Sequence, residues 1–426
     1  MNTTDLRSLV GFLALAGAGL DSACAMERPW PGQAPCDTTL NACLAVAQAG
    51  DTVRIVASAT IPEQIAIGLP VSIETAPGIV ATFTSTTTHV FTLPGTAPYA
   101  VSLRGLNFVG GSLRFSMNGN LPGEVRLEQL NVVGNASNAQ SQVQFNLAQT
   151  TVARSLVSIK GCTFVPGSNV SASSSIFQFG SSAGGMDFIV EENLFRPEPV
   201  AMAQTFHIPL NMLVGGNSAW DVVFRRNQVL PAIGLPSRAY ADGIGVNTAD
   251  NVTVNLLVHD NVFLLDDVAG AGGTAVYAGG SVGQVSARVI NNTILHAYYA
   301  LAFTNNVSGR IDNNVMAFGF RLHEGTAPAA SFPQRNNLVH SYPIASNWAI
   351  APGTLTSDPL LSAASGLPQI GSPVIDAGSD TARNEAGPGS YGVLTPRDAN
   401  GLRRIEGAQI DIGAFEGERL FYNGAE

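Results

Sequence analysis

The chain is poor in charge and nearly devoid of lysine. Of 426 residues only Lys160 is a lysine, and Asp, Glu, Lys and Arg together make up 12% of the sequence, about half the usual share. With 21 basic residues against 31 acidic ones and a net charge of −10, there is no basic stripe to track a phosphate backbone, which argues against nucleic acid as a partner. Cysteine is scarce too. Four cysteines and six scattered histidines supply no paired spacing of the kind that holds zinc, so no metal site is assigned. The apolar run from Leu9 to Leu20 is shorter than the roughly 20 residues that a membrane-spanning helix needs.

What the chain does have is glycine (45 residues), a mean hydropathy of +0.19 and repetition. Nine six-residue segments align without gaps, starting at Leu103, Leu127, Ile159, Val190, Phe224, Val258, Val289, Ile311 and Pro333. The first column is apolar in eight of nine, and the sixth, from Phe108 to Leu338, in all nine. The fourth reads Leu106, Leu130, Cys162, then Asn193, Asn227, Asn261, Asn292, Asn314 and Asn336. Successive fourth-column residues are 24, 32, 31, 34, 34, 31, 22 and 22 positions apart. A constant segment separated by variable loops is how a solenoid with a fixed core behaves. Length alone would allow about three domains; the repeat makes it one solenoid with two ends.

The columns predict an all-β, parallel β-helix. Strand residues alternate faces, so columns one and six point inward and column two outward. An asparagine at column four suits the bend between two strands, because it tolerates the left-handed conformation. Stacked amides there would form an internal ladder, with Leu106, Leu130 and Cys162 continuing it as apolar residues. Cys162 is therefore read as a buried residue rather than a nucleophile. Column two alternates in sign: Arg104, Glu128, Lys160, Glu191, Arg225, then His259, Ile290, Asp312 and Gln334. Column three adds Glu192, Arg226 and Asp260. Strands roughly 4.8 Å apart place each charge between two of opposite sign, and a slip of one coil would pair like with like. The Glu191–Asp260 group is accordingly read as register control rather than chemistry.

The start reads as a targeting segment. Arg7 precedes the apolar run, and Ala23-Cys24-Ala25 fits a small-x-small cleavage site. Residues 1–25 are assigned to a signal peptide, 26–345 to the β-helix with an N-terminal cap, and 346–426 to a C-terminal cap. Secretion is favoured. The alternative is a lipid on Cys24, although Asp21 stands where a lipoprotein signal wants an aliphatic residue; this would be the only contact with a membrane. An oxidising compartment favours a disulfide between Cys36 and Cys43. They bracket a short helix capped by Asp37 or Thr38, with Leu40, Cys43, Leu44 and Ala47 on one face, which would close the open end of the solenoid.

Two regions carry a family resemblance. Leu40 to Val56 resembles the capping helix and first strand of pectin-lyase-like right-handed β-helices. The tail is similar to the choice-of-anchor Q family of bacterial surface proteins. It carries Ser357-Asp358-Pro359-Leu360, Gly371-Ser372-Pro373-Val374-Ile375-Asp376-Ala377-Gly378, Arg397-Asp398-Ala399-Asn400-Gly401 and Asp411-Ile412-Gly413-Ala414-Phe415-Glu416. The resemblance implies a bacterial, exported, right-handed β-helix at or beyond the cell surface, and no particular reaction. Members usually continue into a sorting signal or anchor; here Gly417 to Glu426 follow. That leaves release, or anchoring through Cys24, as the expectation. Asp376, Asp398 and Asp411 are read as turn caps that pair with Arg397, Arg403 and Arg404; calcium is the other reading.

Enzymes that resemble this fold cut or rearrange polysaccharides, which makes polysaccharide the expected partner of a monomeric protein. Tyr240-Ala241-Asp242-Gly243 resembles the strand of β-helix glycosidases that carries an Asp-Gly pair, though Tyr240-Ala241 stands where those enzymes have Asn-Thr. Hydrolysis needs two carboxylates. Asp242 is the first candidate, with Asp266 and Asp267 on the next coil and His207 on the previous one. A lyase would instead need a base such as Arg238. Tyr240, Tyr277 and Tyr298, with Tyr299, are candidates to stack on sugar rings. An Asp-Gly is more often a turn and a tyrosine more often covers a core edge. A non-catalytic surface or adhesin role stands beside the enzymatic ones.

Overall fold

Each repeated segment folds as a strand, a corner of one or two residues and a second strand. One coil shows the pattern: Thr253–His259, then Val262–Leu264, then Thr274–Gly280, before Gln284–Ile290 begins the next. The computed structural model describes residues 25–417, apart from 94–98, 120, 135–141, 150–153, 166–173, 180–183, 197–206, 217, 232–242, 266–272, 281, 345, 347, 380–396 and 405–408. Its described strands stack into three parallel sheets of 12, 11 and 10 strands, a right-handed parallel β-helix. The first-column residues from Leu103 to Val289 are fully buried. Inside, like sits on like: Phe91 stacks on Phe115 at 4.7 Å and Phe115 on Phe145 at 5.2 Å, pairs worth about 0.5–1.5 kcal/mol beyond their burial.

The asparagine ladder is present. The Asn193 amide donates to Asn227 Oδ1 at 3.0 Å, and the same bond recurs from Asn227 to Asn261, Asn261 to Asn292 and Asn292 to Asn314. Each amide also donates to a strand carbonyl, as Asn261 does to Phe224 O at 2.8 Å. Three details differ from the expectation. The ladder ends on Asn337, not Asn336, because the last coil pairs Ile311 with Gln334 and Asp312 with Arg335. The segment thus starts one residue later than the alignment placed it. The left-handed position is column three rather than column four: from Gly105 through Arg226 to Asn336 its φ lies between 51° and 69°. Finally, Cys162 is not merely apolar, since its Sγ accepts from Leu130 N at 3.4 Å while its own N–H donates to Asn193 Oδ1. Burial pushes its thiol up to about 12, so at neutral pH it is protonated, and the thiolate is the nucleophilic form.

The Cys36–Cys43 disulfide is formed. The helix that carries Cys43 spans Leu40–Ala45 and is capped by Thr39, whose side chain accepts from Ala42 N, one residue after Thr38 and two after Asp37. Leu40, Cys43 and Leu44 join the continuous core. At the other end Phe332 stacks on Phe303 at 4.7 Å, and Trp348 packs against both.

The tail runs back along the side of the solenoid. Val374, Ile412, Ala414 and Phe415 pack on the outward face of the 11-stranded sheet, against Val262, Leu264, Leu295, Val315, Ala317 and Leu338. Its aspartates cap turns. Asp398 accepts from Asn400, Leu402 and Glu416 N–H groups, Asp411 from Asp376 and Gly417, and Asp376 from Gln409.

Candidate functional site

The three corners of the coil differ in length. The corner from the 12- to the 11-stranded sheet is one or two residues wherever the nine segments align, because the ladder and the left-handed residue fill it. The connection from the 11- to the 10-stranded sheet is the variable one. It is three residues in the coils after Val109, Leu295 and Ala317, but 8 to 14 in the five consecutive coils after Val133, Val165, Phe195, Val229 and Leu264. The extra residues of the 31- to 34-residue coils therefore emerge along one edge, where long loops of a rigid scaffold commonly carry function.

Arg238, Tyr240, Asp242, Asp266 and Asp267 belong to these connections and lie outside the described residues. Asp242 precedes strand Ile244–Thr248 by two positions, and Asp266 and Asp267 lead into Thr274–Gly280. His207 opens strand His207–Val214, and its side chain also lies outside the description. The three strands are consecutive in the 10-stranded sheet. Only the strands that these segments lead into are placed, side by side in one sheet.

Tyr277 sits on the outward face of that sheet, half-buried, with Gly245 in register on the preceding strand and Ala302 on the following one. Burial holds its phenol above the ordinary tyrosine range. In register from strand to strand stand Arg114, Gln144, Gln178, Asn211, Gly245, Tyr277, Ala302 and Glu324. Tyr298 behaves differently. It lies on a three-residue corner, stacked on Phe320 at 4.4 Å and edge-on to Tyr299 at 4.6 Å, so it covers the core edge instead of presenting a face. Tyr299 is raised by burial and by nearby Glu324, with Arg321 6.0 Å over its ring.

The charged columns form a closed network. Glu191, nearly buried, meets Lys160 at 3.0 Å, Arg225 at 2.6 Å and Arg226 at 3.1 Å. Burial would raise its carboxyl, but Arg225 and Lys160 outweigh it and hold the group below its ordinary value. Glu192 and Arg226, both left-handed, pair with each other at 2.6 Å. The ladder extends beyond the aligned segments, since Arg54 pairs with Glu74 at 2.6 Å. A cleft of about 550 Å³ opens where the tail meets this corner, between Arg226 and Arg397. Its charges are engaged: Arg226 with both glutamates, and Arg397 with the Gly401 carbonyl.

One cluster escaped the sequence reading. On the outward face of the 12-stranded sheet Asp187 pairs in register with Asp221, and Asp221 with Asn255. Arg154 Nε donates to Asp187 at 2.8 Å and its Nη2 to Asp221, while Asn255 donates to Asp221 at 2.7 Å. The signal was a column three residues before the aligned window. Two carboxylates on neighbouring strands are the residue types that glycoside hydrolysis uses, but here the Arg154 guanidinium bonds to both. The cluster is a clamp across the coils.

Among the described residues no group of three His, Cys, Asp or Glu side chains converges as a metal would require. Among the described residues no helix is long and apolar enough to cross a membrane. No protein-family model matches the chain, and no curated protein does. Among solved structures the chain is similar to the crystal structure of pectate lyase Pel9A, at 13% identity and a TM-score of 0.39, over 93% of this chain and 97% of that one.

Proposed function

We propose that this is an exported β-helix protein that engages polysaccharide along the outward face of its 10-stranded sheet. The observation that supports this most directly is the alignment of five long connections on the edge of the sheet that presents Tyr277 between Gly245 and Ala302. A long sheet face running across many coils suits an extended chain better than a compact ligand. Export is part of the proposal; the Cys36–Cys43 bridge supports it, because such bonds persist in oxidising compartments. The choice-of-anchor Q resemblance rests on the tail motifs and fits a protein at the cell surface.

Hydrolysis is the second reading. It is favoured by the order of the chain, in which Asp242, Asp266 and Asp267 lead into the strands of Gly245 and Tyr277. Two of these carboxylates would serve as acid and base. The test is to incubate the purified protein with neutral and uronate polysaccharides, with and without calcium, following reducing ends, unsaturated-uronate absorbance and binding. Binding alone supports recognition, and new reducing ends without absorbance support hydrolysis. Absorbance would instead indicate a lyase and direct attention to Arg238. Neither binding nor turnover across a broad panel would overturn the proposal.

A further inference from the structure

We infer that the polysaccharide taken by the 10-stranded face is uncharged and that one of its pyranose rings lies against Tyr277. This rests on the reading above and adds the ligand class. The central part of the row in register with Tyr277 is Gln144, Gln178, Asn211, Gly245, Tyr277, Ala302. Two half-buried amides, Gln144 and Asn211, offer donors and acceptors to hydroxyl groups and bring no charge. A uronate chain would call for a cation opposite its carboxylates. The charges of this row stand at its ends, away from the strands around Tyr277: Arg114 Nε donates to Gln144 Oε1 at 3.1 Å, and Glu324 pairs with Arg321.

The setting of Tyr277 makes it a platform. Its neighbours in the row are a glycine and an alanine, so within the row no large side chain flanks the ring. Within its own strand the phenol leans over Gly279. A Cβ on Gly279 would stand 2.8 Å from Tyr277 Oη and 2.7 Å from Thr304 Cγ2, closer than real contacts allow, so only glycine lets the ring lie back there. The next row adds exposed Leu213, half-buried Asn247 and Thr304, an apolar contact with polar groups beside it. An aromatic surface bordered by neutral hydrogen-bonding groups matches a pyranose, which has an apolar face and a rim of hydroxyls.

The test measures binding of cellohexaose, mannohexaose, xylohexaose and hexagalacturonate to the full protein by calorimetry, with and without calcium. The expected result is that at least one neutral hexasaccharide binds and hexagalacturonate binds at least tenfold more weakly. Tyr277→Ala should weaken the neutral ligand at least tenfold, and Tyr277→Phe less than threefold. Tyr277→Leu, which keeps apolar cover over Gly279, replaces the alanine variant if that one unfolds, with the same expected loss. Preference for hexagalacturonate that still depends on Tyr277 would overturn the ligand class and leave the binding face standing. Neutral binding indifferent to Tyr277→Ala and Tyr277→Leu would overturn the platform. No binding by any of the four sugars would overturn both this inference and the reading beneath it.

Discussion

Arg404 Nη2 lies 2.7 Å from Asp260 Oδ1, across 144 residues of sequence. Both side chains are almost completely buried. Asp260 also meets His259 Nδ1 at 2.7 Å, and Arg404 donates to Gly413 O and stands 3.8 Å from Glu416. Burial pushes the Glu416 carboxyl up to about 9. This contact ties the tail to a left-handed corner residue of the solenoid.

Removing the arginine strands Asp260 in a buried site, a change that typically costs about 3–5 kcal/mol. Arg404→Met should release the tail and leave the coils folded. Hydrogen exchange reads this out. Amides of Ile412, Gly413 and Ala414, which bond to Val374, Asn313 and Thr293, should exchange about a hundredfold faster, with no change at Val254–Val258. Uniform acceleration would show that tail and solenoid unfold together.

Asn261→Leu should give a folded but weakened solenoid. The residue donates to Asn292 Oδ1 and Phe224 O and accepts from Asn227 N and Nδ2. Each buried group left unmatched costs about 1–3 kcal/mol, so a loss of about 3 kcal/mol is expected. Leu106 and Leu130 already occupy this column, so the shape is tolerated. An unchanged midpoint in urea would rule out an energetic role for the ladder.

Glu191→Lys places a fourth cation beside Lys160, Arg225 and Arg226. It should destabilise by about 3–5 kcal/mol, with part of the loss recovered in high salt through screening. Thermal melts at low and high ionic strength check this. Full stability at low salt would remove register control as the purpose of the charged column.

His89 is fully buried and packs on Phe83 and Phe108. Its Nδ1 accepts from Ile65 N at 3.1 Å, and burial lowers its pKa from 6.5 to about 4. A folded-state value below the unfolded one gives stability that is present above pH 6.5 and lost as pH falls toward 4. The shift corresponds to about 3 kcal/mol. His89→Gln keeps an acceptor for Ile65 and does not titrate, so the difference between wild type and variant should shrink by about that amount across this window. A difference independent of pH would mean that His89 takes up its proton equally in the folded and unfolded states. His259, also lowered by burial, remains in both proteins and cancels.

Much of the fold was legible because burial and pairing act on fixed positions of a short repeat. The inward columns, the ladder and the alternating charges all follow from the two-residue strand period. The error in the last coil has the same origin. Asn336 and Asn337 are adjacent, as are Asn291–Asn292 and Asn313–Asn314. In each pair the first takes the left-handed conformation and the second the ladder, so either could be matched to the column by eye. The Arg154–Asp187–Asp221 clamp was missed because it lies outside the aligned segment, although its register is as strict.

The candidate site was legible only in its ingredients. Sequence spacing showed that some coils carry about ten extra residues, but not at which corner. That is decided by packing: the ladder closes one corner, and the excess chain must leave by another. Likewise, sequence supplied Tyr277 and Tyr298 as equals. Tertiary structure separated them, placing Tyr298 against Phe320 at a corner and Tyr277 between Gly245 and Ala302 on an outward face. The sequence by itself determined the solenoid, because its repeat encodes local burial and strand register. Tertiary structure alone decided where the loops gather, which tyrosine lies on an outward face, and that the tail returns along the coils to place Arg404 on Asp260. Those outcomes depend on contacts between residues far apart in the chain.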